Sequence, residues 1–149
     1  QSSCFSCESG SFQDKIGQSF CSQCPEGTYQ PSVGKSSCIV CAAGTYQYHR
    51  GSINCLTCLV GTFQNVTGQS YCIPCQAGSY SSTIRATTCM PCKTGTYQSS
   101  PNRPSCTPCP IGQYQPSEGQ PSCYPCESGK TTIGVGSTSQ NNCLTVCSA

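Results

Sequence analysis

Cys24-Pro25-Glu26-Gly27-Thr28-Tyr29-Gln30-Pro31-Ser32-Val33-Gly34-Lys35-Ser36-Ser37-Cys38-Ile39-Val40-Cys41 is the stretch on which the fold turns. Gly27 suggests a positive φ or a close backbone approach. Thr28-Tyr29-Gln30 reads as a short strand, because β-branched and aromatic side chains suit a pleated surface. Pro31-Ser32-Val33-Gly34 reads as a turn ending in glycine. A short return segment then leads to Cys38. The stretch is a small irregular hairpin that cannot be stable alone.

The same hairpin is written about eight times. Cys4, Cys21, Cys38, Cys55, Cys72, Cys89, Cys106 and Cys123 recur with a period of 17 residues, and Cys7, Cys24, Cys41, Cys58, Cys75, Cys92, Cys109 and Cys126 follow three residues behind. Each C-x-x-C is separated from the next by 13 residues until the last gap of 16, after which Cys143 and Cys147 form a C-x-x-x-C. The repeats are 1–20, 21–37, 38–54, 55–71, 72–88, 89–105, 106–122 and an extended 123–142, with a terminal segment at 143–149. A linear array of this kind works by length and surface rather than through one pocket.

Other columns recur with the cysteines. Gly10, Gly27, Gly44, Gly61, Gly78, Gly95, Gly112 and Gly129 hold one; Phe12, Tyr29, Tyr46, Phe63, Tyr80, Tyr97 and Tyr114 hold the next, with Thr131 in the eighth repeat. Gln13, Gln30, Gln47, Gln64, Gln98 and Gln115 usually follow. A mid-loop column carries Gly17, Gly34, Gly51, Gly68 and Gly119, with Arg85 and Asn102 in two repeats. Gly and Pro are frequent and no 3.6-residue apolar period appears, which argues against helix. The fold class is small, disulfide-rich and all-β or irregular. At roughly 10 Å per packed layer, eight stacked repeats predict an elongated rod on the order of 80 Å long.

Composition supports covalent rather than hydrophobic stabilisation. Cysteine is 18 of 149 residues, tryptophan is absent and only 8% of residues are charged. That cysteine share marks a secreted disulfide scaffold, in which cross-links restrict the unfolded chain. The net charge of +2 is dispersed, so no basic patch favours nucleic acid or an anionic membrane. No apolar run approaches the ~20 residues of a membrane span, and no signal peptide precedes Gln1, so the chain is read as a mature form or a fragment.

Eighteen cysteines allow roughly 3 × 10⁷ complete pairings, but an answer for a repeat should itself repeat. Pairing within each C-x-x-C makes a tight ring typical of redox motifs. Pairing across the 13-residue loop is the better reading. It joins Cys7–Cys21, Cys24–Cys38, Cys41–Cys55, Cys58–Cys72, Cys75–Cys89, Cys92–Cys106, Cys109–Cys123 and Cys126–Cys143, each closure worth about 3 kcal/mol in the chain-entropy model. Cys4 and Cys147 are then left to link molecules or to continue the array.

The pattern C-x-x-G-T-Y-Q-x-x-x-G-x-x-x-C-x-x-C resembles the ephrin-receptor-like cysteine-rich repeat. The stretch from C-x-x-G-x-[Y/F] to the next Cys is also similar to one module of tumour necrosis factor receptor ectodomains. Cys24-Pro25-Glu26-Gly27-Thr28-Tyr29-Gln30 carries the resemblance, with its copies beginning at Cys41, Cys58 and Cys92. Ser81 and Arg85 depart from it in the fifth repeat, and Thr131 and three added residues depart in the eighth. The resemblance implies an extracellular, elongated, disulfide-laddered rod and supports cross-loop pairing.

Zinc-ribbon spacing is the competing use of C-x-x-C pairs. Here each pair is shared between overlapping repeats, and the tiling leaves an odd pair at the end, so disulfides are preferred and no cofactor is expected. Catalysis has little to build on. His49 is the one histidine, and Glu8, Asp14, Glu26, Glu118 and Glu127 are dispersed, so no nucleophile–base–acid set and no calcium cluster forms. The aromatic column is read as the miniature core of each repeat, packed on a disulfide, rather than as a ligand stripe. Asn65-Val66-Thr67 is an N-glycosylation sequon on a turn, and Ser and Thr beside Pro admit O-glycans. These features point to a non-enzymatic structural protein: a glycosylated rod, secreted or at the cell surface, forming or decorating a filament, surface or matrix. Its partners would be itself, head-to-tail or lateral, or other extracellular proteins. The alternative is a ligand-binding fragment of a cysteine-rich receptor ectodomain.

Overall fold

The structure is a computed structural model, and it describes residues 5–147. It is a small disulfide-rich, all-β chain whose single helical element among the described residues is a 3-10 turn at Gln140–Asn142. Each strand is two residues long: the first strand of every hairpin follows directly on a glycine of the Gly10–Gly129 column, and the second lies between the two cysteines of a pair.

Contacts divide the chain into two compact units. One comprises Gln1–Leu59, Phe63–Ile73 and Ile84–Thr87; the other comprises Val60–Thr62, Pro74–Thr83 and Thr88–Ala149. In the first, β1 (Ser11–Phe12) pairs antiparallel with β2 (Ser22–Gln23), β3 (Thr28–Tyr29) with β4 (Ile39–Val40) and β5 (Thr45–Tyr46) with β6 (Leu56–Thr57). Next along the chain, β7 (Thr62–Phe63) pairs with β8 (Ile73–Pro74). In the second unit, β9 (Ser79–Tyr80) pairs with β10 (Met90–Pro91), β11 (Thr96–Tyr97) with β12 (Thr107–Pro108), β13 (Gln113–Tyr114) with β14 (Tyr124–Pro125) and β15 (Lys130–Thr131) with β16 (Leu144–Thr145). The register sets each column aromatic opposite the residue that follows the first Cys of the next pair, as in Tyr29↔Ile39 and Tyr97↔Thr107.

A disulfide closes every hairpin. Cys7–Cys21, Cys24–Cys38, Cys41–Cys55, Cys58–Cys72, Cys75–Cys89, Cys92–Cys106 and Cys109–Cys123 each span 14 positions, and Cys126–Cys143 spans 17. Their Cα atoms lie 5.7–5.9 Å apart, within the range a disulfide bridges without moving backbone. The buried apolar residues are the second cysteines of the pairs, Cys7 through Cys109.

Hydrogen bonds tie neighbouring hairpins in a repeating register. In the first unit Gly27 N–H donates to Gln47 O (2.7 Å), Cys41 N–H to Gly27 O (2.9 Å) and Gly68 N–H to Cys41 O (2.8 Å). The second unit repeats these with Gly78 to Gln98 (2.7 Å), Cys92 to Gly78 (2.9 Å) and Gly119 to Cys92 (2.7 Å). The mid-loop column keeps its backbone even where glycine is lost: Arg85 and Asn102 sit at φ 61° and 62°. Their N–H groups still donate to Cys58 O and Cys75 O, both at 2.8 Å. A left-handed residue costs roughly 1–2 kcal/mol, less for Asn, and each of these bonds offsets part of that strain.

Candidate functional site

The side chain that organises each repeat is the glutamine after the aromatic. Gln30, Gln47, Gln64 and Gln115 are buried, Gln64 with only 1% of its surface exposed. The amide Nε2 donates to a carbonyl seven residues on: Gln30 to Ser37 O (2.7 Å), Gln47 to Asn54 O (2.8 Å), Gln64 to Tyr71 O (2.9 Å) and Gln115 to Ser122 O (2.7 Å). Its Oε1 accepts from the N–H two residues on, at Ser32, His49, Val66 and Ser117. Both ends of the amide are therefore matched, which is what permits a polar side chain in the interior. Gln13 and Gln98 make the same pair of bonds with half-buried side chains. Ser81 and Thr132 stand in the column with hydroxyls, and Thr132 Oγ1 accepts from Gly112 N–H at 2.9 Å while donating to Gly134 O.

This glutamine latch is the element that sequence reasoning noticed and left without a role. The aromatic column, expected as each repeat's core, is half-buried throughout: Phe12, Tyr29, Tyr46, Phe63, Tyr80, Tyr97 and Tyr114 all keep partial exposure. Their cross-strand partners, such as Ile39, Leu56 and Met90, are exposed, so the rings cover one side of a solvent-facing hairpin. The fully buried places go to the cysteines and the latch.

The remaining candidates fall on the surface. Asn65 is exposed on the turn between β7 and β8, with Val66 and Thr67 also exposed. His49 is exposed, its ring 4.0 Å from that of Tyr48. Glu8, Asp14, Glu26, Glu118 and Glu127 are exposed. Among the described residues, Lys130–Glu127 is the ion pair, at 3.2 Å and open to solvent; such a pair is worth about 0–1 kcal/mol. No group of three His, Cys, Asp or Glu side chains converges among the described residues. Sixteen sulfurs, Cys7 through Cys143, are bonded to one another in eight disulfides. Cys147 is an exposed free thiol, and Cys4 lies outside the described residues. No described helix is long and apolar enough to cross a membrane.

The model of the family described as tyrosine-protein kinase ephrin type A/B receptor-like matches residues 1–36, 20–54, 44–88, 61–103, 78–110 and 95–143. The chain belongs to the ephrin-receptor-like repeat family. The matches overlap along the chain and cover every disulfide-closed hairpin, including those of the fifth and eighth repeats, whose residues depart most from the pattern. Among curated proteins, none matches the chain. Family membership and eight disulfides together make this an ephrin-receptor-like, cysteine-rich module of the kind suited to an oxidising, extracellular setting.

Proposed function

We propose that this chain is a structural repeat protein: a disulfide-stapled, glycosylated rod, secreted or cell-surface, that forms or decorates a filament, surface or matrix. The observation that carries the reading is uniformity. The bonds from Gly27, Cys41 and Gly68 in one compact unit recur as those from Gly78, Cys92 and Gly119 in the other, so each repeat is built on the same backbone frame. A regular frame suits a lattice of like contacts more than a single ligand. Exposed Asn65 supports a glycan there, and the exposed thiol of Cys147 supports a bond to a further repeat or a second molecule.

The test is sedimentation velocity of oxidised native material over a wide concentration range, with small-angle scattering of the lowest sample. The reading expects an extended particle that assembles as concentration rises, with Cys147 consumed in larger species on non-reducing gels. A compact particle that stays monomeric at every concentration overturns it. Such a monomer would leave a receptor-ectodomain fragment, which the receptor-like description of the matching family supports.

A further inference from the structure

We propose that the last two repeats carry a recognition groove for a neutral, equatorially substituted pyranose. Two departures from the repeat meet there. The first is a cross-strand pair of tyrosines. Tyr114 on β13 faces Tyr124 on β14, with ring centroids 5.9 Å apart and planes at 44°. In other hairpins the partner of the column aromatic is Ser22, Ile39, Leu56, Met90 or Thr107.

The second departure is the longer eighth loop. Gly136, at φ 76°, holds the mid-loop column of that repeat, so the three added residues lie after it. They form the 3-10 turn Gln140–Asn142, fixed by a capping box at Ser139. Asn141 N–H donates to Ser139 Oγ (3.1 Å), and Ser139 N–H donates to Asn142 Oδ1 (3.1 Å). The box holds the backbone and leaves the side-chain amides of Gln140 and Asn141 exposed, with no hydrogen bond to the described residues.

Tyr114, Tyr124, Pro116, Ser139, Gln140 and Asn141 line one groove of about 440 Å³. That volume falls in the range of small-molecule sites, which join aromatic walls to a few placed polar groups. No lining residue carries a charge, which selects against an anionic or cationic ligand. Tyrosine faces are electron-rich and attract the weakly positive C–H groups of a flat sugar face. Each amide both donates and accepts, matching hydroxyls that do the same. A purely apolar ligand would strip water from these amides and return nothing.

This inference goes beyond the structural reading and stands whether or not the array assembles. The test is an NMR titration of the whole ¹⁵N-labelled, oxidised chain with cellotriose and with N,N′,N″-triacetylchitotriose. Saturable shifts are expected at Tyr114, Tyr124, Gln140 and Asn141, with the Tyr29 and Tyr46 hairpins unmoved. Tyr124→Ile keeps an apolar strand residue that Ile39 and Ile73 already place in this column, so the hairpin is retained. It is expected to weaken binding by about tenfold or more, and Gln140→Ala by a smaller factor. No saturable shift in the millimolar range with either sugar overturns the proposal. So do shifts spread evenly over the tyrosines of all repeats, or a Tyr124→Ile chain that titrates as the parent does.

Discussion

Gly27→Ala and Gly129→Ala place the same methyl group in the same column at nearly the same backbone angle, φ 77° and 78°. Both variants therefore carry the same left-handed strain, roughly 1–2 kcal/mol, and the same gain from a stiffer unfolded chain. They differ in what the methyl meets. At Gly129 nothing lies within 4 Å, whereas at Gly27 the new Cβ falls 2.1 Å from Gly68 O. Ordinary contact begins at 3.4 Å, so the carbonyl must retreat by about 1.3 Å (3.4 − 2.1). That movement strains the bonds from Gly27 N–H to Gln47 O (2.7 Å) and from Gly68 N–H to Cys41 O (2.8 Å). Each buried backbone bond lost costs about 1–3 kcal/mol. Gly27→Ala should thus cost at least about 2 kcal/mol more than Gly129→Ala. Amide hydrogen exchange supplies a matched reporter, because Cys41 N–H donates to Gly27 O and Val146 N–H donates to Gly129 O. Protection at Cys41 should fall about thirtyfold further in the first variant than protection at Val146 in the second. Equal losses at the two reporters refute the claim that the close approach of Gly27 and Gly68 holds those repeats together.

Gln64→Ala leaves Val66 N–H and Tyr71 O without their partner and should cost about 2–3 kcal/mol, read as lower amide protection in the fourth repeat. Replacing Cys58 and Cys72 by Ala opens a loop of 14 positions and should cost about 3 kcal/mol, checked by the same measurement. Combining both changes should differ from the sum by at least about 0.5 kcal/mol, because they act on one loop. Material from a secretory host should carry an N-glycan on Asn65, seen as a mass shift removed by Asn65→Gln or by deglycosylation; an unmodified peptide refutes it.

Much of the fold was legible because its main determinant is a spacing. Cysteine at a fixed period and Gly27 before Thr28-Tyr29 name a hairpin without any reference to packing. What sequence left dark were the places where a side chain's role depends on geometry. Gln64 looks like any polar surface residue until Val66 N–H and Tyr71 O are seen converging on its amide. Arg85 and Asn102 look like breaks in a glycine column, yet their backbones keep its left-handed form. The groove of the last two repeats was hidden because Tyr124 fits its column as one more apolar residue, and because the eighth loop's added residues show no position until Gly136 is placed. The two units by contacts were not legible either, since neighbouring repeats share one pattern.

The latch and the disulfide close one loop from two sides, and that nesting explains how a chain so poor in apolar residues holds a fixed interior. Cys58 and Cys72 bound the loop at a separation of 14, and the Gln64 amide spans seven positions inside it, to Tyr71 O beside the disulfide. A hydrogen bond closing a free loop must overcome the entropy of bringing its ends together. With Cys72 already fixed, Tyr71 has little freedom left to lose, and the amide bond forms at small entropic cost. In return the latch shields a loop interior that no aliphatic side chain fills. Each alone is weak support: the covalent bond restricts the chain without choosing one conformation, and the amide chooses a conformation without restricting the chain. Their repetition in the same order in both compact units allows each hairpin to keep its form with mostly exposed strand residues. Those residues, Ile39, Leu56, Met90 and Tyr124 among them, are free to vary in every repeat without endangering the fold. One such variation, Tyr124 on β14 beside the 3-10 turn, is where the array acquires a groove of its own.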